Sequence, residues 1–220
     1  MPVVPDPPPP VRLRLPFTGR WMAQNSPATR TPSHGTHLFG TTYAIDFTAV
    51  DGAGRSAPRG PASLLATEAP KRFRGFGRPV LAPAAGTVAA VHDGEPDHRA
   101  VRSPAASFAY ALTQAGRIRR GPDAVAGNRV VITLRPAGPY VLLAHLRRGS
   151  ICVVPGQPVA AGDVVGECGN SGNSTEPHVH VQVTDSMDWQ TCRGLPLGFR
   201  HPGGLPEPWL PRSGQAVEAR

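Results

Sequence analysis

Residues 176–185 read EPHVHVQVTD, and within them valine occupies every second place. Successive side chains of a β-strand leave opposite faces of the sheet, so Val179, Val181 and Val183 share one face and His178, His180, Gln182 and Thr184 the other. A chain with this segment must bury one face of the strand and use the other, which carries two imidazoles. The 27 prolines and 25 glycines of the 220-residue chain, together with the lack of apolar heptads, favour short strands joined by turns over a helical bundle. The expected class is therefore mainly β, an antiparallel sheet with long loop insertions and few short helices. A chain of this length builds one domain and a core that needs no disulfide staples.

Along the chain, residues 1–15 form a proline-rich, extended tail. THLFGTTYAIDFTAV follows, with Tyr43, Ile45 and Phe47 on one strand face and Asp46 on the other beside Ala44. RPVLAPAAGTVAAVHDG reads as two apolar strands around a turn at Gly86. Residues 93–127 make a long excursion whose middle, 106–119, suits a short helix. NRVVITL and YVLLAHL pair as strands, and GQPVAAGDVVGECGNSGNSTEPHVHVQV adds more, with a glycine- and asparagine-rich turn. GNSGNST lacks the lysine of a phosphate loop, and a tight turn explains its glycines. The domain is expected over 16–200, with 201–220 as a peripheral C-terminal tail.

The formal charge of +8 raises the question of a polyanionic partner. Of the 23 basic residues only Lys71 is lysine, the arginines are scattered, and no aromatic-studded run accompanies them. No nucleic acid is expected; an anionic wall or membrane surface fits the charge better. Cys152, Cys168 and Cys192 show no CxxC spacing and read as small packed residues. The N-terminal stretch has no secretory pattern of charged then apolar residues, and no apolar run has transmembrane length.

Two further ionisable residues interrupt apolar strands: Asp46 in YAIDF and His145 in YVLLAHL. A carboxylate in a half-buried strand is costly unless it is paired or bound to a metal. His37, nine positions before Asp46, completes a set of four histidines and one aspartate with His145, His178 and His180. Imidazole and carboxylate together suit zinc, which needs three such ligands in a catalytic site and leaves two histidines over. Hydrolysis of an amide there calls for a proton acceptor and then a donor for the leaving amine, and histidine serves both. No HExxH helix supplies the glutamate used elsewhere.

HLFGTTYAIDF, the hairpin RPVLAPAAGTVAAV, and YVLLAHLRRGSICVVPGQPVAAGDVVGECGNSGNSTEPHVHVQV resemble, in order and character, the M23 zinc metallopeptidases of the LytM or lysostaphin type. The resemblance covers roughly 34–185. It implies an antiparallel sheet forming the floor of a peptide groove, with the 93–127 insertion and the N-terminal region as walls. It makes His37, Asp46 and His180 the ligands of one zinc ion per chain, and His145 and His178 the rings that handle protons and the oxyanion. Many relatives set the first histidine four positions before the aspartate; the longer approach here leaves His34 as a competitor, and His37 is preferred by the YA-I-DF ending. The implied activity is endopeptidase cleavage in peptidoglycan stem peptides or cross-bridges. The alternative is a non-catalytic module of the same fold that docks on cell wall or on another hydrolase. The resemblance points to the cell envelope, while the missing secretory pattern keeps the cytoplasm open; oligomeric state is not readable.

Overall fold

The alternation at 178–184 is realised as the middle of a sheet. The computed structural model of the chain describes residues 8–58, 60, 66–103, 116, 119–204 and 208–219. Among the described residues twelve strands are formed: β1 (Val11–Leu13), β2 (Gly19–Gln24), β3 (Ile45–Ala49), β4 (Pro79–Leu81), β5 (Gly86–His92), β6 (Asn128–Thr133), β7 (Tyr140–Leu146), β8 (Pro158–Val159), β9 (Val164–Glu167), β10 (Val179–Thr184), β11 (Leu197–Phe199) and β12 (Ala216–Ala219). Eight of them make one sheet in the order β12-β2-β3-β10-β7-β6-β5-β8. Every pairing within it is antiparallel. The architecture is thus mainly β, as expected.

One face of this sheet is the core. Val179, Val181 and Val183 join Ile45, Phe47 and Leu143 there, all at most 1% exposed. Phe17 stacks on Trp21 at 4.6 Å between centroids and meets Phe47 edge-on at 4.9 Å. Each such side chain contributes about 1.5–3 kcal/mol by leaving water. The opposite face carries Asp46, His180 and Gln182, and beside them Ala144 and Leu142, the cross-strand partners of His180 and Gln182.

Strict alternation would send His145 to the core with Leu143. A bulge prevents this: β7 pairs Leu143 with Val130 and Leu146 with Asn128, so Ala144 and His145 together oppose Arg129. His145 has φ 62, which absorbs the extra residue and returns the imidazole to the open face. Leu146 then re-enters the core. Next to the bulge, buried Asn128 donates to the Leu146 and Glu95 carbonyls and accepts from the Gly94 and Glu95 amides. One amide side chain thereby ties the start of the excursion to the sheet.

The ends of the chain differ from expectation. Val11–Leu13, within the expected tail, pairs in parallel with Leu197–Phe199, and the pair lays Leu13 and Phe199 on the core. Residues 216–219, also expected to be peripheral, add strand β12 to the sheet edge with Val217 and Ala219 buried. The expected hairpin around Gly86 is not formed: β4 pairs with β9 in a separate two-stranded sheet, whereas β5 pairs with β6 and β8. Tyr43 belongs to a 3-10 turn, Leu38–Tyr43, rather than to β3. Most of the helix expected over 106–119 lies outside the described residues; the helix that is described, α1, spans Pro122–Ala126. All three cysteines are free, Cys168 and Cys192 buried and Cys152 exposed. Among the described residues no helix is long and apolar enough to cross a membrane.

Candidate metal centre

Asp46 on β3 is the register partner of His180 on β10, which sets carboxylate and imidazole side by side on the open face. His180 Nδ1 lies 2.9 Å from Asp46 Oδ1, and His34 Nε2 lies 3.1 Å from Asp46 Oδ2. One ligand atom from each of these three residues falls within 4.8 Å of the others, so the trio could hold a metal ion. His178, the residue just before β10, approaches with its Nε2 3.7 Å from Asp46 Oδ1. His145 completes the group, with its ring centroid 4.6 Å from that of His178 and 5.8 Å from that of His180.

Of the residues singled out in the sequence, the structure brings Asp46, His145, His178 and His180 together and leaves His37 apart. That ring is exposed, with Nδ1 3.0 Å from Thr42 Oγ1, and it takes no part in the cluster. The reason is local. The Ser33 amide donates to the Thr42 carbonyl, pinning His34 beside Asp46, and Gly35, at φ 74, then turns the chain away before residue 37 is reached. His34, the competitor, occupies the place expected of His37.

Sequence reasoning also missed residues that hold these groups. Asn25 Nδ2 donates to Asp46 Oδ2 at 2.7 Å from the end of β2, where φ 46 suits an asparagine. Ser33 Oγ lies 3.0 Å from His34 Nδ1, and Gln182 Oε1 2.8 Å from His180 Nε2. Gln182 had a signal, since it shares a strand face with His180; Asn25 and Ser33 lie outside any periodic segment.

Burial opposes the charge on Asp46, but His34 and His178 nearby, with His180 and His34 at hydrogen-bond distance, outweigh it and hold the carboxyl well below its ordinary value of 3.8. Burial, reinforced by His178 and His180, pushes His145 well below its ordinary 6.5. His145 therefore stays neutral, donates from Nδ1 to the Ser171 carbonyl at 2.9 Å, and leaves Nε2 bare. His178 Nδ1 is held in the same way, 2.8 Å from the Glu176 carbonyl.

The group opens into a cavity of about 370 Å³, lined among others by Arg30, Phe39, Pro122, Val125 and Trp189. The N-terminal region and the end of the excursion thus contribute to its lining.

Residues 73–191, more than half of the chain, match the model of peptidase family M23. The chain belongs to peptidase family M23. The match spans His145, His178 and His180 of this M23 chain, while His34 and Asp46 lie before it. No curated protein sequence matches the chain. Among solved structures, a mutant catalytic domain of the prophage-encoded M23 protein EnpA from Enterococcus faecalis is 18% identical with a TM-score of 0.40, covering 70% of this chain and 73% of its own. The catalytic domain of lysostaphin from Staphylococcus simulans is 16% identical with a TM-score of 0.39, covering 73% and 86%. A zinc-containing peptidase from Vibrio cholerae is 21% identical with a TM-score of 0.34, covering 64% and 46%.

Proposed function

We propose that this M23 chain is a zinc-dependent endopeptidase that cleaves peptide bonds in peptidoglycan stem peptides or cross-bridges at the cell envelope. The observation that carries the reading is the convergence of His34, Asp46 and His180 beside two further imidazoles in one cavity. The donor set fits zinc: two imidazole nitrogens and one carboxylate oxygen, nearly shielded from water, with the cavity beyond them for solvent and substrate. Zinc bound there would polarise the scissile carbonyl and make a nearby water acidic.

The chain's own residues supply the rest. Neutral His145 offers a bare Nε2 to accept the proton of the attacking water and, once protonated, can return it to the leaving amine. His178, with its Nδ1 held by the Glu176 carbonyl, is the second ring available to stabilise the oxyanion. Asp46 stays fixed, because both of its carboxylate oxygens have partners.

The test is metal analysis of purified protein followed by incubation with peptidoglycan sacculi. About one zinc per chain and new amino termini are expected, both abolished by His180→Ala. Sacculus binding with neither zinc nor new amino termini would overturn the reading in favour of a docking module.

A further inference from the structure

A neutral imidazole that binds a metal through one nitrogen must carry its proton on the other. Both candidate ligand rings have a partner on that far nitrogen. His180 Nε2 is 2.8 Å from Gln182 Oε1, and the Gln182 amide is oriented by its own Nε2, which donates to the Phe39 carbonyl at 2.8 Å. The reverse orientation would set Oε1 against that carbonyl, two acceptors facing each other, at a side chain only 3% exposed. His34 Nδ1 is 3.0 Å from Ser33 Oγ, whose hydroxyl donates to the Thr41 carbonyl at 3.1 Å. With its proton committed there, the Ser33 oxygen meets the ring as an acceptor.

The two carbonyls belong to one element, the turn Leu38–Tyr43. Phe39 and Gly40 adopt φ 55 and 72 within it. The turn also packs on β10, for a Cβ at residue 40 would come within 2.5 Å of Thr184 Cγ2.

We infer that Gln182 and Ser33 are positioning residues which, backed by the carbonyls of Phe39 and Thr41, keep the single ring proton of His180 on Nε2 and that of His34 on Nδ1. The bare nitrogens are then His180 Nδ1 and His34 Nε2, the two that face Asp46. These two nitrogens and the Asp46 carboxylate converge on one point, so with the far-side protons held by Gln182 and Ser33 the network prepares the site for a metal before it arrives. The inference rests on reading His34, Asp46 and His180 as metal ligands.

Its test separates the two ideas. Gln182→Met keeps the bulk and removes the acceptor; Ser33→Ala removes the hydroxyl. Long-range proton–nitrogen correlation on histidine-labelled, metal-free protein, at a pH where the rings are neutral, reads the tautomer of each ring. Competition with a chromophoric chelator reads zinc affinity. In Gln182→Met, His180 is expected to lose its single tautomer while His34 keeps its own, and zinc to bind about 10- to 100-fold more weakly. Ser33→Ala should do the reverse to the two rings, so a failure of one variant to fold leaves the other to decide. Unchanged tautomers or unchanged zinc affinity in a folded variant would overturn the inference. A wild-type chain that holds these tautomers yet binds no zinc would overturn the metal-centre reading instead and leave the positioning roles standing.

Discussion

His34 and His37 carry the same side chain three positions apart, and only the backbone between them decides which can meet Asp46. His34→Ala is expected to lose zinc, whereas His37→Ala keeps both zinc and turnover; metal content of the two purified variants checks this. His145→Ala is expected to keep zinc and to lose turnover by about 10²- to 10⁴-fold, which steady-state cleavage with matched metal content would measure. Equal metal loss in His145→Ala and His180→Ala would refute this division of roles. Asp46, His145, His178 and His180 were legible in the sequence because each is an ionisable group set into an apolar, strand-like run. His34 was not, since its advantage comes from a Ser33–Thr42 backbone bond and a left-handed glycine that leave no periodic trace.

At the scale of elements, alternation reports which face a residue takes and says nothing of which strand lies next to it. That is why pattern finds β6, β7 and β10 yet joins the segments around Gly86 into a hairpin they do not form. It is also why the bulge at Ala144 and His145 was invisible: pattern marks His145 as a misfit in its strand, and only the register shift shows how the misfit is turned to the open face. The turn Leu38–Tyr43 gives a direct test of element-level support. Gly40→Ala adds a Cβ at φ 72 and presses it on Thr184 and Cys192. The left-handed conformation alone costs about 1–2 kcal/mol, so a lower urea midpoint is expected together with weaker zinc binding. A variant with wild-type stability and affinity would show that the turn yields without consequence.

The whole molecule should feel the buried site through pH. Because His145 is held well below 6.5, the unfolded chain binds a proton that the folded chain refuses between that depressed value and 6.5. Its contribution is complete above 6.5 and is lost as pH falls through the window, by at most about 1.4 kcal/mol per pH unit. Asp46, held below 3.8, adds a second loss at lower pH, in the same direction. Urea unfolding of chelated protein at stepped pH should therefore show stability falling from near 6.5 downward, and His145→Gln should flatten the upper part of that decline; an unchanged slope would count against a neutral His145. The chain ends escape pattern at this scale, because Leu13, Phe199 and Val217 sit in short stretches whose burial depends on partners far along the chain. The strand order has one more consequence. Asp46, His145 and His180 ride on β3, β7 and β10, each flanked by strands on both sides, whereas His34 hangs on a loop outside the sheet. Escape of an ion held by the trio would thus begin as a door swinging on one jamb, and deuterium should enter the amides of residues 31–37 well before those of the three strands opposite.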